Sequence, residues 1–122
     1  MATQFLERMA VETDGDGEPV LMIHGLGGTS NVWTPVRPAL IRHRTVRPDL
    51  PGSGRSHRVE GPLSIERLVQ AMLHVCAALQ LERVHVVAHS LGTIVAFHLA
   101  TTAPRLVRSL VLFGPLLCPP DA

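Results

Sequence analysis

Apolar residues along this chain follow two rhythms: short unbroken runs, and stripes spaced three and four residues apart. Val20-Leu21-Met22-Ile23 and Val86-Val87-Ala88 are runs of the first kind, as expected of strands buried on both faces. Residues 64–80 carry the second rhythm. Ile65, Leu68, Val69, Met72, Leu73, Cys76 and Leu79 fall on one stripe, with Glu66, Arg67, Gln70 and His74 outside it. That pattern predicts an amphipathic helix with Ser64 as its N-cap. Read from end to end, the chain gives a first strand over 6–12, a turn at Asp14-Gly15-Asp16-Gly17, a strand over 20–23, a helix over 31–42 and a strand over 44–47. A long turn through Pro62 precedes helix 64–80. Strand 84–88, a helix over 90–103 stopped by Pro104, and strand 107–113 complete it. Short buried strands alternating with helices predict an α/β fold with a parallel, doubly wound sheet of about five to six strands and about three main helices. The length of 122 residues allows one domain, spanning 1–122.

Composition removes several classes of function. A formal net charge of +1, with no lysine and dispersed arginines, makes no field to attract nucleic acid or an anionic membrane. No apolar stretch reaches the roughly 18 residues of a membrane-spanning helix. The first residues hold Glu7 and Arg8 and no apolar signal core, so a cytoplasmic setting is expected. Cys76 and Cys118 suggest no disulfide framework, and Cys76, on the helix stripe, reads as inert core. Neither the cysteines nor the seven histidines show metal-ligand spacing, so no metal is expected.

Three segments carry candidate chemistry. In Val86-Val87-Ala88-His89-Ser90-Leu91-Gly92 a buried strand stops at a small-x-Ser-x-Gly pentad and a helix starts at once. Small residues at 88 and 92 let strand and helix come close, and the sharp turn lifts Ser90 clear of the sheet at a helix N-terminus. The pentad alone also fits a serine acting only as a helix N-cap. The run 20–23 ends in His24-Gly25-Leu26-Gly27-Gly28, followed by Thr29 and Ser30 as candidate caps. This glycine loop lacks the third spaced glycine of a dinucleotide fingerprint and the Gly-Lys-Ser/Thr of a phosphate loop. The third segment, Asp49-Leu50-Pro51-Gly52-Ser53-Gly54-Arg55-Ser56, is a dense turn in which Pro51 presets one dihedral and Gly52 and Gly54 permit positive φ.

In this order and spacing the three segments resemble the α/β-hydrolase family, over roughly residues 5–118. The resemblance implies a serine hydrolase of esterase or lactonase type acting on a small ester, lactone or related acyl substrate, with no cofactor. The same half-fold also serves carbon–carbon hydrolases, perhydrolases and cofactor-free haloperoxidases. Ser90 would be the nucleophile, and the backbone N–H groups of Leu26 and Leu91 the oxyanion hole. His24 would brace its loop, and His89 would diverge from Ser90. Gly25, Gly52, Gly54 and Gly92 would support the turns. Asp49 would be structural, its strand separated from that of Ser90 by another.

In this family the catalytic acid and histidine follow the nucleophile along the chain. Nothing downstream of Ser90 matches either, and Asp121 reads as a loop residue. His57 in the long turn is unplaced, and His43, His74, His85 and His98 sit on other elements or too far back. The expectation is therefore an N-terminal part of the fold, inactive alone. Strand 107–113 would form an open apolar edge that needs the C-terminal half or self-association. Two alternatives stand beside it: a non-catalytic fragment that binds a ligand or subunit, and one half of a split enzyme. Trp33 reads as core packing rather than pocket lining.

Overall fold

The computed structural model describes residues 2–6, 8–25, 27–56 and 64–115. Six strands form one mixed sheet: β1 (Ala2–Leu6), β2 (Met9–Asp14), β3 (Pro19–Ile23), β4 (Arg44–Pro48), β5 (Val84–His89) and β6 (Val107–Phe113), in the order β1-β2-β4-β3-β5-β6. Strands β4, β3, β5 and β6 run parallel, whereas β1–β2 and β2–β4 are antiparallel. The α/β architecture stands, with two corrections. The single strand foreseen over 6–12 is a hairpin, which reverses near Arg8 at φ 71°. The sheet is parallel only from β4 onward.

Two α-helices, α1 (Ile65–Ala78) and α2 (Leu91–Thr102), cover one face. Their buried side chains Leu68, Val69, Met72, Val75, Cys76, Val95, Ala96 and Leu99 pack with Val11, Leu21, Ile23, Val46, Val84, Val86 and Ala88 of the strands. Ser64 caps α1 as expected, its hydroxyl accepting from the Arg67 N–H at 3.1 Å. The helix ends short of residue 80 because Gln80 turns left-handed, at φ 57°, and the Leu81 N–H closes back on the Cys76 carbonyl at 2.8 Å. That closure satisfies an end carbonyl.

Among the described residues the opposite face is covered by Ser30–Leu40, where Trp33 packs against Val20 and Met22. This segment was expected to be an α-helix over 31–42 and is instead a run of 3-10 turns. Pro35 and Pro38 fall inside it, have no N–H to give, and crowd the preceding turn, so the α ladder does not build. Among the described residues β6 lies at the sheet margin, paired with β5. Its Val111 and Phe113 are 46% and 48% exposed. Among the described residues no helix is long and apolar enough to cross a membrane.

Candidate active site

The chemistry-bearing loops all leave the C-terminal ends of adjacent parallel strands. His24 and Gly25 follow β3, Asp49 follows β4, and Ser90 follows β5. Strand β3 separates the Asp49 strand from the Ser90 strand, as the resemblance implied.

Ser90 sits at φ 54°, ψ −121° between β5 and α2, and its side chain makes no capping hydrogen bond to the helix. A non-glycine residue there carries strain of about 1–3 kcal/mol. The plain N-cap alternative is thereby removed, since a capping serine has an extended backbone and gives its oxygen to the first turn. Two backbone bonds hold the conformation. The Ser90 N–H donates to the Phe113 carbonyl at 3.0 Å, and the Ser90 carbonyl accepts from the Thr93 N–H at 2.9 Å. The Thr93 hydroxyl donates to that same carbonyl at 2.6 Å. Leu91 is the first residue of α2, so its N–H belongs to the first turn, whose amides have no acceptor within the helix.

Two glycines make the close approach possible. A Cβ on Gly92 would lie 2.4 Å from the Ile23 carbonyl oxygen and 2.7 Å from that of His24. Only a bare Cα lets the start of α2 press on the end of β3. A Cβ on Gly25 would lie 2.8 Å from the Ser90 Cβ and 3.4 Å from its Oγ. The glycine loop therefore passes directly beside the serine side chain. Leu26, the next residue and the second expected oxyanion donor, lies outside the described residues, as do His57, Cys118 and Asp121.

His24 is fully buried. Its Nε2 accepts the Leu50 N–H at 2.9 Å, which leaves Nδ1 to carry the proton and donate to the Gly25 carbonyl at 2.8 Å. Both ring nitrogens are thus engaged in one neutral tautomer. Burial holds the imidazole below its ordinary pKa, against the opposing pull of the Gly25 carbonyl and the Asp49 carboxylate. His24 braces the loop.

Asp49, 1% exposed, fastens the other end of that loop. Its Oδ1 accepts the Ser30 N–H at 2.7 Å, and its Oδ2 accepts both the N–H and the Nε–H of Arg55 at 3.0 Å. Burial raises the carboxyl pKa, but the hydrogen bonds from Ser30 and Arg55 outweigh it and hold the group below the usual carboxylate range. Gly52 and Gly54 take φ 84° and 48° in the turn that follows, and the Ser56 hydroxyl closes it by donating to the Asp49 carbonyl at 2.6 Å.

The remaining histidines are elsewhere. His89, the last residue of β5, is exposed. His85 is engaged with Glu18 at 2.8 Å and Ser109 at 2.6 Å, and His98 lies far along α2. A cavity of about 430 Å³ walled by Asp14, Thr34, Arg37, His43 and Thr45 opens near the start of β4. In open α/β sheets ligands take the carboxyl ends of the parallel strands, so this cavity is not part of the Ser90 site. Cys76 is buried, and burial pushes its thiol up to about 11. Among the described residues no group of three or more His, Cys, Asp or Glu is arranged to hold a metal ion. Sequence pattern passed over Thr93, named Ser30 only as a candidate cap and Arg55 only as part of its turn, and so missed their roles. Ser30 and Arg55 meet Asp49 only across loops from different strands, and no spacing rule announces that.

Comparison with known proteins fits this geometry. A family model described as alpha/beta hydrolase fold matches residues 18–122. RutD of Azorhizobium caulinodans, provisionally named a carbamate hydrolase, is 40% identical over 102 residues, which cover 83% of this chain and 38% of that protein. The 2-hydroxy-6-oxo-2,4-heptadienoate hydrolase of Pseudomonas putida is 37% identical over 105 residues, 82% of this chain and 38% of that one. Among solved structures, an epoxide hydrolase from Vigna radiata superposes with a TM-score of 0.83 at 28% identity, over 98% of this chain and 42% of its own. The chain spans about two fifths of the length of each of these proteins.

Proposed function

Because the chain belongs to the α/β-hydrolase fold family, we propose that it carries the nucleophile and oxyanion half of a serine hydrolase, with Ser90 attacking the acyl carbon of a small ester or lactone. The observation that carries this is the Ser90 backbone, strained at φ 54° with a hydroxyl that caps nothing, beside a glycine whose bare Cα leaves room for that side chain. In the reaction Ser90 Oγ bonds to the carbonyl carbon and gives its proton to a base. The carbonyl oxygen becomes an oxyanion held by the Leu91 N–H and by the amide that follows Gly25. Collapse expels the alcohol, which takes up the proton, and water then releases the acid from the acyl-serine. Each such amide is worth about 3–4 kcal/mol of transition-state stabilisation in comparable sites. Carbamate and oxo-dienoate, the substrate classes in the names of two relatives, both present a carbonyl carbon, which supports an acyl centre as the target.

On this reading the base and its acid partner come from outside the described residues: from His57, which is not among them, from a C-terminal continuation, or from a second chain. His24 cannot serve, since both its nitrogens are engaged. The open β6 edge favours a second reading beside the first: a subunit-binding half that is completed when a partner docks there. Intact mass after exposure to a fluorophosphonate, on the wild-type chain and Ser90→Ala, tests the nucleophile. The expected result is slow labelling at one site that disappears in the variant, since the reagent is itself highly electrophilic and backbone amides beside Ser90 still stabilise its attack. A folded chain that takes no label, or labels equally as Ser90→Ala, would overturn the assignment.

A further inference from the structure

The loop from His24 to Ser30 is fastened at both ends to the turn that follows β4. At its start His24 accepts the Leu50 N–H. At its end the Ser30 N–H donates to Asp49, which is itself gripped by Arg55 through both the backbone N–H and the side-chain Nε–H. Arg55 reaches further than any other side chain in this cluster. Its Nη2 donates to the Ser30 hydroxyl at 3.1 Å, and its Nη1 donates to Glu12 Oε1 on β2 at 3.0 Å. One planar guanidinium therefore ties β2, the β4 turn and the far end of the glycine loop together. Between the two fastenings lies Gly25, against the Ser90 side chain. Arg55 itself is 40% exposed, belongs to no apolar core and touches no reacting atom.

We infer that Arg55 is a positioning residue: acting through Asp49 and Ser30, it sets where the oxyanion loop stands relative to Ser90. This rests on the proposed nucleophile. A misplacement of about 1 Å in such a site can lower a rate by roughly a hundredfold, so a loop released at one end loses reactivity without losing its fold. Lysine carries the same charge on a single rotatable ammonium and cannot make the fork of contacts. Arg55→Lys therefore separates charge from geometry.

The test is the fluorophosphonate rate at Ser90 in wild type, Arg55→Lys and Arg55→Gln, with thermal melts of each. Arg55→Lys is expected to melt close to wild type while its maximal labelling rate falls about tenfold with the half-saturating concentration unchanged. Combining Arg55→Gln with Asp49→Asn is expected to lower the rate no further than either change alone, because both release the same loop. Both arginine variants labelling at the wild-type rate would overturn the inference. Should the wild-type chain take no label at Ser90, the nucleophile assignment fails. Hydrogen exchange over residues 24–32 then decides for the clasp: faster exchange in Arg55→Lys than in wild type upholds it, and identical exchange ends it.

Discussion

Replacing Gly92 by alanine sets two opposed effects of known size against each other. Within a helix, alanine is favoured over glycine by up to about 1 kcal/mol, because it restricts the unfolded chain more. A Cβ at residue 92, however, would sit 2.4 Å from the Ile23 carbonyl oxygen and 2.7 Å from that of His24. Neither atom belongs to a flexible side chain. Both are main chain at the end of a buried central strand, so α2 must back away. Overpacking of this kind costs about 1–3 kcal/mol, and backbone contacts this short belong at the upper end. The balance is a loss of about 1–2 kcal/mol, or a fall in melting temperature of roughly 3–10 °C for a chain of this size. Thermal unfolding followed by circular dichroism reads it directly. Gly27→Asn is the control, since Gly27 stands at φ 78° with nothing within 4 Å, and asparagine enters that region readily. It should melt near wild type. Gly92→Ala melting at or above the wild-type temperature would refute the close approach of α2 to β3, and with it the placement of Ser90.

Ser90→Gly should raise stability by about 1–2 kcal/mol in a denaturant titration by relieving the positive φ, while abolishing fluorophosphonate labelling; a destabilised variant would mean the elbow is not strained. Acid should unfold the chain in two stages. The His24 imidazole, held below its ordinary value near 6.5 by burial, contributes stability that is complete above that value and declines as pH falls toward the folded one. Asp49, held below 3.8 in the folded state, contributes stability complete above that value and lost as pH falls through the lower folded one. Asp49→Asn should flatten only the second stage of a stability–pH curve, and a change confined to pH 5–7 would contradict the assignment. The β6 margin should make the chain associate with rising concentration, and Val111→Lys should weaken that association in sedimentation runs. A wild-type monomer with a cooperative melt above about 60 °C would argue against a sticky edge.

Where apolar runs are continuous, pattern and structure agree: the run 20–23 lies in β3, the run 86–88 lies in β5, and the α1 stripe lies on the face that packs. The hairpin β1–β2 escaped because β1 is an exposed margin strand with little alternation, and because its reversal at Arg8 uses neither glycine nor asparagine. The 3-10 run Ser30–Leu40 escaped because periodicity registers Val32, Val36 and Leu40 but is blind to what Pro35 and Pro38 do to the hydrogen-bond ladder. At the candidate site the motifs marked Ser90, Gly25 and Gly92, but what crowds the two glycines lies across the sheet: Ser90 beside Gly25, and the Ile23 and His24 carbonyls beside Gly92. The Asp49–Arg55–Ser30 clasp is a tertiary arrangement, formed only once β3 and β4 stand side by side.

The Ser90 N–H has its partner in Phe113, the last residue of β6. A strand at the margin of the sheet thus holds one of the bonds that keep the elbow in its strained shape. Ser90 and the sheet margin form one mechanical element: a load that splays β6 slackens the serine, and a strand laid alongside β6 stiffens it. If Ser90 is the nucleophile proposed above, its reactivity gauges whether the sheet has a neighbour.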